Sequence, residues 1–119
     1  MASFMDYLVD LVKNSDTATD SQVNALATAT VAAKTGRHNV ALKVDASYNS
    51  SATSGLLQVK FGATVKAEKY IHGAGAIDFG VYGLQNPVAN QALTAELAAG
   101  GVGITGKVTF SFYHTGPNA

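Results

Sequence analysis

The stretch from Ser54 to Gly80, SGLLQVKFGATVKAEKYIHGAGAIDFG, constrains the fold more than any other part of this sequence. Apolar and polar residues alternate through it with a period of two, which predicts strands that bury one face and expose the other. Two short connections that contain glycine, Gly62-Ala63 and Gly73-Ala74-Gly75, divide it into three strands. Because these connections leave no room for a crossover helix, the neighbouring strands are predicted to pair antiparallel.

The same alternation marks further strands on either side of this stretch. It is clearest from Asn39 to Asn49, and it recurs from Ala92 to Ala98 and from Thr105 to His114. It is weak from Val23 to Lys34, where the alanines would suit a helix but the threonines and valine favour a strand. About seven to eight short strands separated by glycine-rich turns predict an all-β fold, a single antiparallel β-sandwich.

The alternation also predicts which residues form the core between the two sheets. Lys69 interrupts the apolar face of its strand, so we expect it at a rim, or with its stem packed and its amine in water. Pro87 and Gly83 argue against a continuous central strand in the long connection Val81 to Asn90. The predicted inward residues are Leu42, Val44, Leu57, Val59, Phe61, Ile71, Ile77, Phe79, Leu93, Leu97, Val108, Phe110 and Phe112.

Residues Ser3 to Asn14 follow a different pattern, with apolar residues at helical spacing. Ser3 is a suitable N-cap and Asp6 follows three residues later, as in a capping box. A helix this short is marginal alone in water, so we expect it to dock on its own domain, on a sister subunit or on another partner. The predicted partner-binding residues of this arm are Phe4, Tyr7, Leu8, Leu11 and Val12.

The segment Asn14 to Gln22, NSDTATDSQ, is polar and rich in turn-forming residues, and we interpret it as a linker. The predicted organisation is therefore an N-terminal arm and linker, residues 1–22, followed by a β-sandwich domain, residues 23–119.

Composition argues against several classes of protein. The chain has 8 basic and 8 acidic residues, so no strong field favours nucleic acid or an anionic membrane. It lacks cysteine, which fits synthesis in a reducing cytosol and removes disulfides and cysteine-based metal sites. The start MASFMDYLVDLV carries acids where a signal peptide needs basic residues, and no apolar run approaches the roughly 20 residues of a membrane helix.

A search for catalytic or metal-binding patterns finds little. His38, His72 and His114 are far apart in the sequence, which argues against a metal site. The serines lack a nucleophile-elbow motif around them and are typical of a solvated loop. The glycine-rich stretches are explained by turns, because neither follows a strand and opens a helix. The carboxylates occupy single outward positions. We therefore expect no enzyme activity, no metal and no cofactor.

Tyrosines are the remaining candidates for a binding surface. Exposed tyrosines at strand ends can stack on sugars, fill a subunit interface, or simply be half-buried at the rim of a sheet. None of these roles implies catalysis. The candidate surface or interface aromatics are Tyr48, Tyr70, Tyr82 and Tyr113.

The order of these motifs resembles small β-sandwich proteins encoded among the virion genes of tailed bacteriophages. The similarity covers Ala27 to Tyr113: a TGRH turn leading into a strand that ends in ASY, then GLLQVKFG, EKYIHGAGAIDF and QALTAELAAGGVGITGKV. Several of these phage proteins look like jelly-rolls that assemble as trimers on capsids or appendages. The Ser3–Asn14 segment lies outside the similarity.

The resemblance implies a structural virion protein made in the host bacterial cytoplasm. It would decorate or cement the capsid as a homo-oligomer, a trimer by analogy, with the major capsid protein or other virion proteins as partners. The alternative is a host-binding module of a tail fibre or vertex appendage that recognises a glycan or surface protein. In that case the loops 49–54 and 81–90 and the exposed tyrosines would carry recognition.

Overall fold

The structure is a computed structural model that describes residues 15–50, 55–80 and 82–115. These residues contain no helix, so the predicted all-β fold is confirmed for them, whereas the predicted helix Ser3–Asn14 lies outside them. No described helix is long and apolar enough to cross a membrane. The strands are β1 (Ser15–Val23), β2 (Ala27–Val31), β3 (Asn39–Tyr48), β4 (Gly55–Phe61), β5 (Thr64–Ile71), β6 (Ala74–Asp78), β7 (Leu84–Gln85), β8 (Leu93–Leu97) and β9 (Thr105–His114).

The strands form two antiparallel sheets. Sheet A has the order β1-β9-β3-β6, with the short β7 also paired to β3, and sheet B has the order β2-β8-β4-β5. The pairing is nested along the chain: β1 with β9, β2 with β8, β3 with β6, and β4 with β5. The described chain therefore resembles one long hairpin whose two arms are rolled together into two sheets.

The core lies between the sheets and is built from the alternating apolar residues. The burial of β4 and β8 alternates strictly, as the sequence pattern predicts for strands with one face in the core. Ile77 and Phe79 pack against the core but are only partly buried. The largest fully buried apolar side chains are Phe110, Leu57, Leu93, Leu97, Val31, Val44, Val59 and Val108.

Most of the segment interpreted as a linker belongs to strand β1, so that prediction is wrong for residues 15–22. All nine residues of β1 pair with β9 at the edge of sheet A. Ala18 pairs with the inward-facing Phe110 and packs against the core. The other residues on the same face of β1 are polar. One of these, Asp20, accepts a hydrogen bond of 2.8 Å from the Thr28 amide of β2. Polar residues that face inward are tolerated on an edge strand, because they reach water or a partner there.

A β-bulge in β3 overturns one part of the predicted core. The register with β9 shifts between Ala41 and Lys43. Ala41 therefore joins the core, while Leu42 is only partly buried and lies near Gly83 of the β6–β7 connection. An inserted residue reverses the inward and outward faces on either side of it, which alternation in the sequence does not reveal.

A second register shift, between Val59 and Lys60, changes the face of Val65. By its spacing Val65 would share the face of Ala67, but it pairs with Lys60 and is exposed. Lys69 does face inward beside Leu57, and its amine donates a 3.3 Å hydrogen bond to the Ala76 carbonyl of β6. It lies at the rim between the two sheets, as predicted, with an exposed side chain.

Two ends of the sandwich are used below. The proximal end contains the start of β1, the β2–β3 loop, the connection between β6 and β8, and Thr115 after β9. Across sheet A, this end is marked by the row Ser15, Tyr113, Val40 and Gln85. The distal end contains the β1–β2 connection, the β5–β6 turn and the β8–β9 loop, and there Asn24 donates to the Ile104 carbonyl at 3.0 Å.

Candidate functional site

The predicted surface tyrosines divide into two groups. Tyr70 and Tyr82 are 68% and 64% exposed, in line with the prediction of surface aromatics at these two positions. Tyr48 and Tyr113 are buried, and the prediction of a surface aromatic is wrong for both. Tyr48 and Tyr113 lie on the interior strands β3 and β9 of sheet A. Their burial results from tertiary packing, which the sequence does not show.

Tyr48 is part of the core rather than of a binding surface. Its hydroxyl donates a 2.6 Å hydrogen bond to the carbonyl of Ala98, which joins sheet A to the end of β8. Burial of the phenol raises the pKa of Tyr48 above its ordinary value of 10.0. A buried tyrosine whose hydroxyl is satisfied by the backbone stabilises the fold and offers nothing to a ligand.

The predicted arm residues Phe4, Tyr7, Leu8, Leu11 and Val12 lie outside the described residues. Their point of attachment is nevertheless fixed, because β1 begins at Ser15 in the row that defines the proximal end. The chain therefore enters the described part of the sandwich at its proximal end.

The proximal end also exposes apolar side chains of its own. Between β6 and β8, Tyr82 is 64%, Leu84 38% and Val88 51% exposed. Leu84 belongs to β7, which pairs with Val40 and Ala41 of β3 opposite the start of β1. Sequence analysis named only Tyr82 among these three. Leu84 and Val88 were missed because single apolar residues in a loop carry no periodic signal.

A buried polar cluster holds the proximal loops in place. Asn39 donates from its amide nitrogen to the Gln91 carbonyl at 2.8 Å and to the Ala32 carbonyl at 3.3 Å. Its amide oxygen therefore faces the Nδ1 of His114, which must carry a proton to donate to it. Asn86, also buried, donates to the Gln91 side chain at 2.8 Å. The connection between β6 and β8 is thus fastened to β3 through Asn39, which is itself bonded to His114 of β9.

The electrostatic setting of this cluster disfavours a charged histidine. Burial, together with the nearby Lys34 and Arg37, holds the pKa of His114 below its ordinary value of 6.5. At neutral pH the ring is therefore uncharged, with its Nδ1 proton on the hydrogen bond to Asn39. The ring also meets Phe112 edge-on, with centroids 5.3 Å apart.

The three histidines considered as metal ligands do not share one site. His38 bonds through Nδ1 to the Asn86 carbonyl at 2.8 Å in the proximal cluster, whereas His72 is exposed in the turn between β5 and β6 at the distal end. Within residues 15–50, 55–80 and 82–115, no group of three or more His, Asp or Glu side chains is placed to hold a metal ion.

A shallow groove of about 610 Å³ runs over the outer face of sheet A. Its floor consists of small side chains from β3, β6 and β9, and its charged groups are Asp45 and Lys107. An open groove with no aromatic wall offers a ligand little apolar area to bury. The residues that line it are Asp45, Ala46, Ser47, Ala74, Gly75, Ala76, Lys107 and Thr109.

Comparisons with known proteins identify no family for this chain. No family model and no curated protein matches this sequence. The structure is similar to the CBM36-1 domain of a multidomain xylanase from the hindgut metagenome of Trinervitermes trinervoides, with 12% identity and a TM-score of 0.48 over 87% of this chain and 98% of that chain.

Two phage structures are also similar. A chain of the cyanophage Pam1 capsid asymmetric unit has 18% identity and a TM-score of 0.44, over 84% of each chain. The tripod from the baseplate of bacteriophage Tuc2009 has 9% identity and a TM-score of 0.33, over 95% of this chain and 67% of that chain. At these TM-scores and identities the likenesses carry no argument about this chain.

Proposed function

We propose that this chain is a structural virion protein of a bacteriophage that decorates the capsid, with its proximal end against the shell. The observation that carries the proposal is the coincidence of two apolar features at that end. Residues 1–14, which carry the apolar set of Phe4 to Val12, join the domain there, and Tyr82, Leu84 and Val88 are exposed there. An apolar patch next to an apolar segment is expected of a surface that is covered in an assembly.

The proposed fold type is the jelly-roll, which the resemblance to phage virion proteins also implies. The nested pairing of β1 with β9, β2 with β8, β3 with β6 and β4 with β5 supports this topology. Rigid two-sheet domains of this kind present loops at both ends. One end can therefore hold a shell while the other faces outward.

A homo-oligomer, by analogy a trimer, explains how a small contact would hold. One apolar patch with a short arm buries less area than a stable interface needs. Several linked copies on adjacent capsomers bind with a high effective concentration after the first contact, so avidity exceeds the affinity of each site. The partner is the major capsid protein or another virion protein.

The test is binding to purified shells of the source phage from which this protein has been removed. Wild-type protein should cosediment with the shells, and a truncation that lacks residues 1–14 should not, although its sandwich keeps the same thermal midpoint. Tyr82→Ser combined with Val88→Ser should weaken binding by about tenfold or more, because roughly 25 cal/mol of transfer energy is lost per Å² of apolar area.

The matched control is Val102→Ser, which changes a side chain that is 91% exposed in the β8–β9 loop at the distal end. It should bind shells like the wild type. Binding by the truncated protein at wild-type strength would refute attachment through the arm. The copy number in native particles then separates two virion roles: hundreds of copies fit decoration, whereas a few copies fit a fibre or vertex appendage.

A further inference from the structure

The outer face of sheet B, away from the groove and the proximal end, carries an apolar row next to a polar one. The apolar row crosses all four strands near the distal end. Leu56 pairs with the exposed Tyr70, and the Ala98 amide donates to the Leu56 carbonyl at 3.0 Å. Leu26, immediately before β2, is 54% exposed and follows the outward alternation of that strand.

The polar row lies one step further along the same strands. It consists of Thr28, Glu96, Gln58 and Glu68, which are direct partners in the register of β2, β8, β4 and β5. The Gln58 amide donates to Glu68 at 2.8 Å, and the Lys60 amine lies 3.0 Å from Glu96. The Lys60 and Glu96 side chains are only 24% and 21% exposed. These polar side chains therefore hold one another in place.

The dimensions of this surface suit an extended ligand. Four strands at the usual spacing span about 14 Å from the first to the last. The edge strands β2 and β5 leave both sides of the face open, so a chain longer than the sheet is wide can cross it. We call the two rows, together with the neighbouring Lys60, the sheet B platform: Leu26, Ala98, Leu56, Tyr70, Thr28, Glu96, Gln58, Glu68 and Lys60.

We propose that the sheet B platform binds a neutral oligosaccharide. A sugar ring has apolar C–H faces that can stack on the ring of Tyr70 and lie along Leu56, and hydroxyls at its edge that need both donors and acceptors. Gln58 supplies both, Glu68 and Glu96 accept, and Lys60 donates. The platform contains one ammonium, that of Lys60, against the two carboxylates of Glu68 and Glu96, and this balance disfavours an acidic sugar.

The same residues argue against a protein as the occupant. Charged side chains are depleted at the cores of protein interfaces, and covering Lys60, Glu96 and Glu68 with an apolar surface removes their water without replacement. Sugar hydroxyls replace that water with hydrogen bonds. The platform is separate from the proximal end, so this proposal does not depend on attachment to a shell.

The experiment is a titration of the full chain, labelled with ¹⁵N, with neutral hexasaccharides: cellohexaose, xylohexaose, mannohexaose and laminarihexaose. Hexagalacturonate serves as an acidic comparison. We expect at least one neutral probe to shift amide signals of β4, β5 and β8 at concentrations up to about 5 mM. Tyr70→Ala should weaken that binding about tenfold. Tyr70→Phe, which keeps the ring, should retain most of it.

Tyr70 is 68% exposed, so its variants should fold with an unchanged thermal midpoint, which the same spectra check. Three results would overturn the proposal. One is the absence of any shift with every neutral probe. Another is binding that maps to the β6–β8 connection and is lost in Tyr82→Ala rather than Tyr70→Ala. The third is a protein partner whose binding requires Tyr70 while no sugar binds.

Discussion

Tyr48 occupies a slot whose walls are glycines, and adding one methyl group to a wall should be costly. A Cβ on Gly55 would overlap the Tyr48 hydroxyl. The ring has little freedom to swing aside, because a Cβ position on Gly100 is 2.7 Å, and one on Gly106 is 3.1 Å, from ring carbons of Tyr48. Since the overlap has to be relieved by moving packed groups, Gly55→Ala should lower the free energy of unfolding by about 1–3 kcal/mol.

The Tyr48 hydroxyl, which would overlap the added Cβ, also makes a stabilising hydrogen bond. Tyr48→Phe loses the 2.6 Å hydrogen bond to the Ala98 carbonyl, which should cost about 1–2 kcal/mol because that carbonyl loses its partner. In the double variant the alanine at position 55 no longer meets an oxygen atom. The double variant should therefore lose less free energy of unfolding than the two single variants lose in sum, by about 0.5 kcal/mol or more.

Urea denaturation followed by far-ultraviolet circular dichroism measures all four proteins of this cycle. Gly73→Ala is the matched control, because a Cβ there would meet nothing within 4 Å. It should change the free energy of unfolding by less than about 0.5 kcal/mol. Strict additivity in the cycle, or a Gly55→Ala variant as stable as Gly73→Ala, would refute the steric reasoning.

Two further predictions concern the proximal end. The folded state holds the pKa of His114 below its ordinary value of 6.5, so the unfolded chain binds the proton more readily. The contribution of His114 to the free energy of unfolding should therefore be fully present above pH 6.5 and should be lost as the pH drops below it. Urea midpoints between pH 7.5 and 5 measure this fall, which should be smaller in His114→Gln. Gly83 has a φ of +69° and its Cβ would lie 2.6 Å from the Ala41 carbonyl oxygen, whereas Gly36 has a φ of +72° and open space around it. Gly36→Ala should therefore cost about 1 kcal/mol and Gly83→Ala clearly more, and equal thermal midpoints for the two variants would contradict this explanation.

The sequence predicted the sandwich because most of its strands bury one face, and alternation reports that directly. Leu57, Val59, Leu93, Leu97 and Phe110 are all fully buried, as expected. Alternation failed where the backbone departs from a period of two. Neither of the two register shifts, in β3 and between β4 and β5, has a signature in residue type. The inward prediction for Leu42, beside the first shift, was therefore wrong.

Strand β1 was missed for a different reason. Its pairing is determined by β9, and an edge strand with polar residues on both faces has the composition of a linker. The candidate surfaces were even less accessible to sequence reasoning. Tyr70 and Tyr82 were named, but Tyr48 was grouped with them because residue type does not distinguish a core tyrosine from an exposed one. The partners of Asn39 come from positions 32, 91 and 114, and only the fold brings them together.

The pairing of β1 has a mechanical consequence for anything attached to residues 1–14. Nine residues of flexible linker would give a tether roughly 17 Å of slack. As a strand, the same residues give none, and a pull on Ser15 along the axis of β1 acts on the ladder with β9. Because ladder hydrogen bonds lie perpendicular to the strands, such a load shears all nine residue pairs together instead of opening them one at a time. Strand β1 thus joins the domain to residues 1–14 by a connection that resists extension along the strand axis.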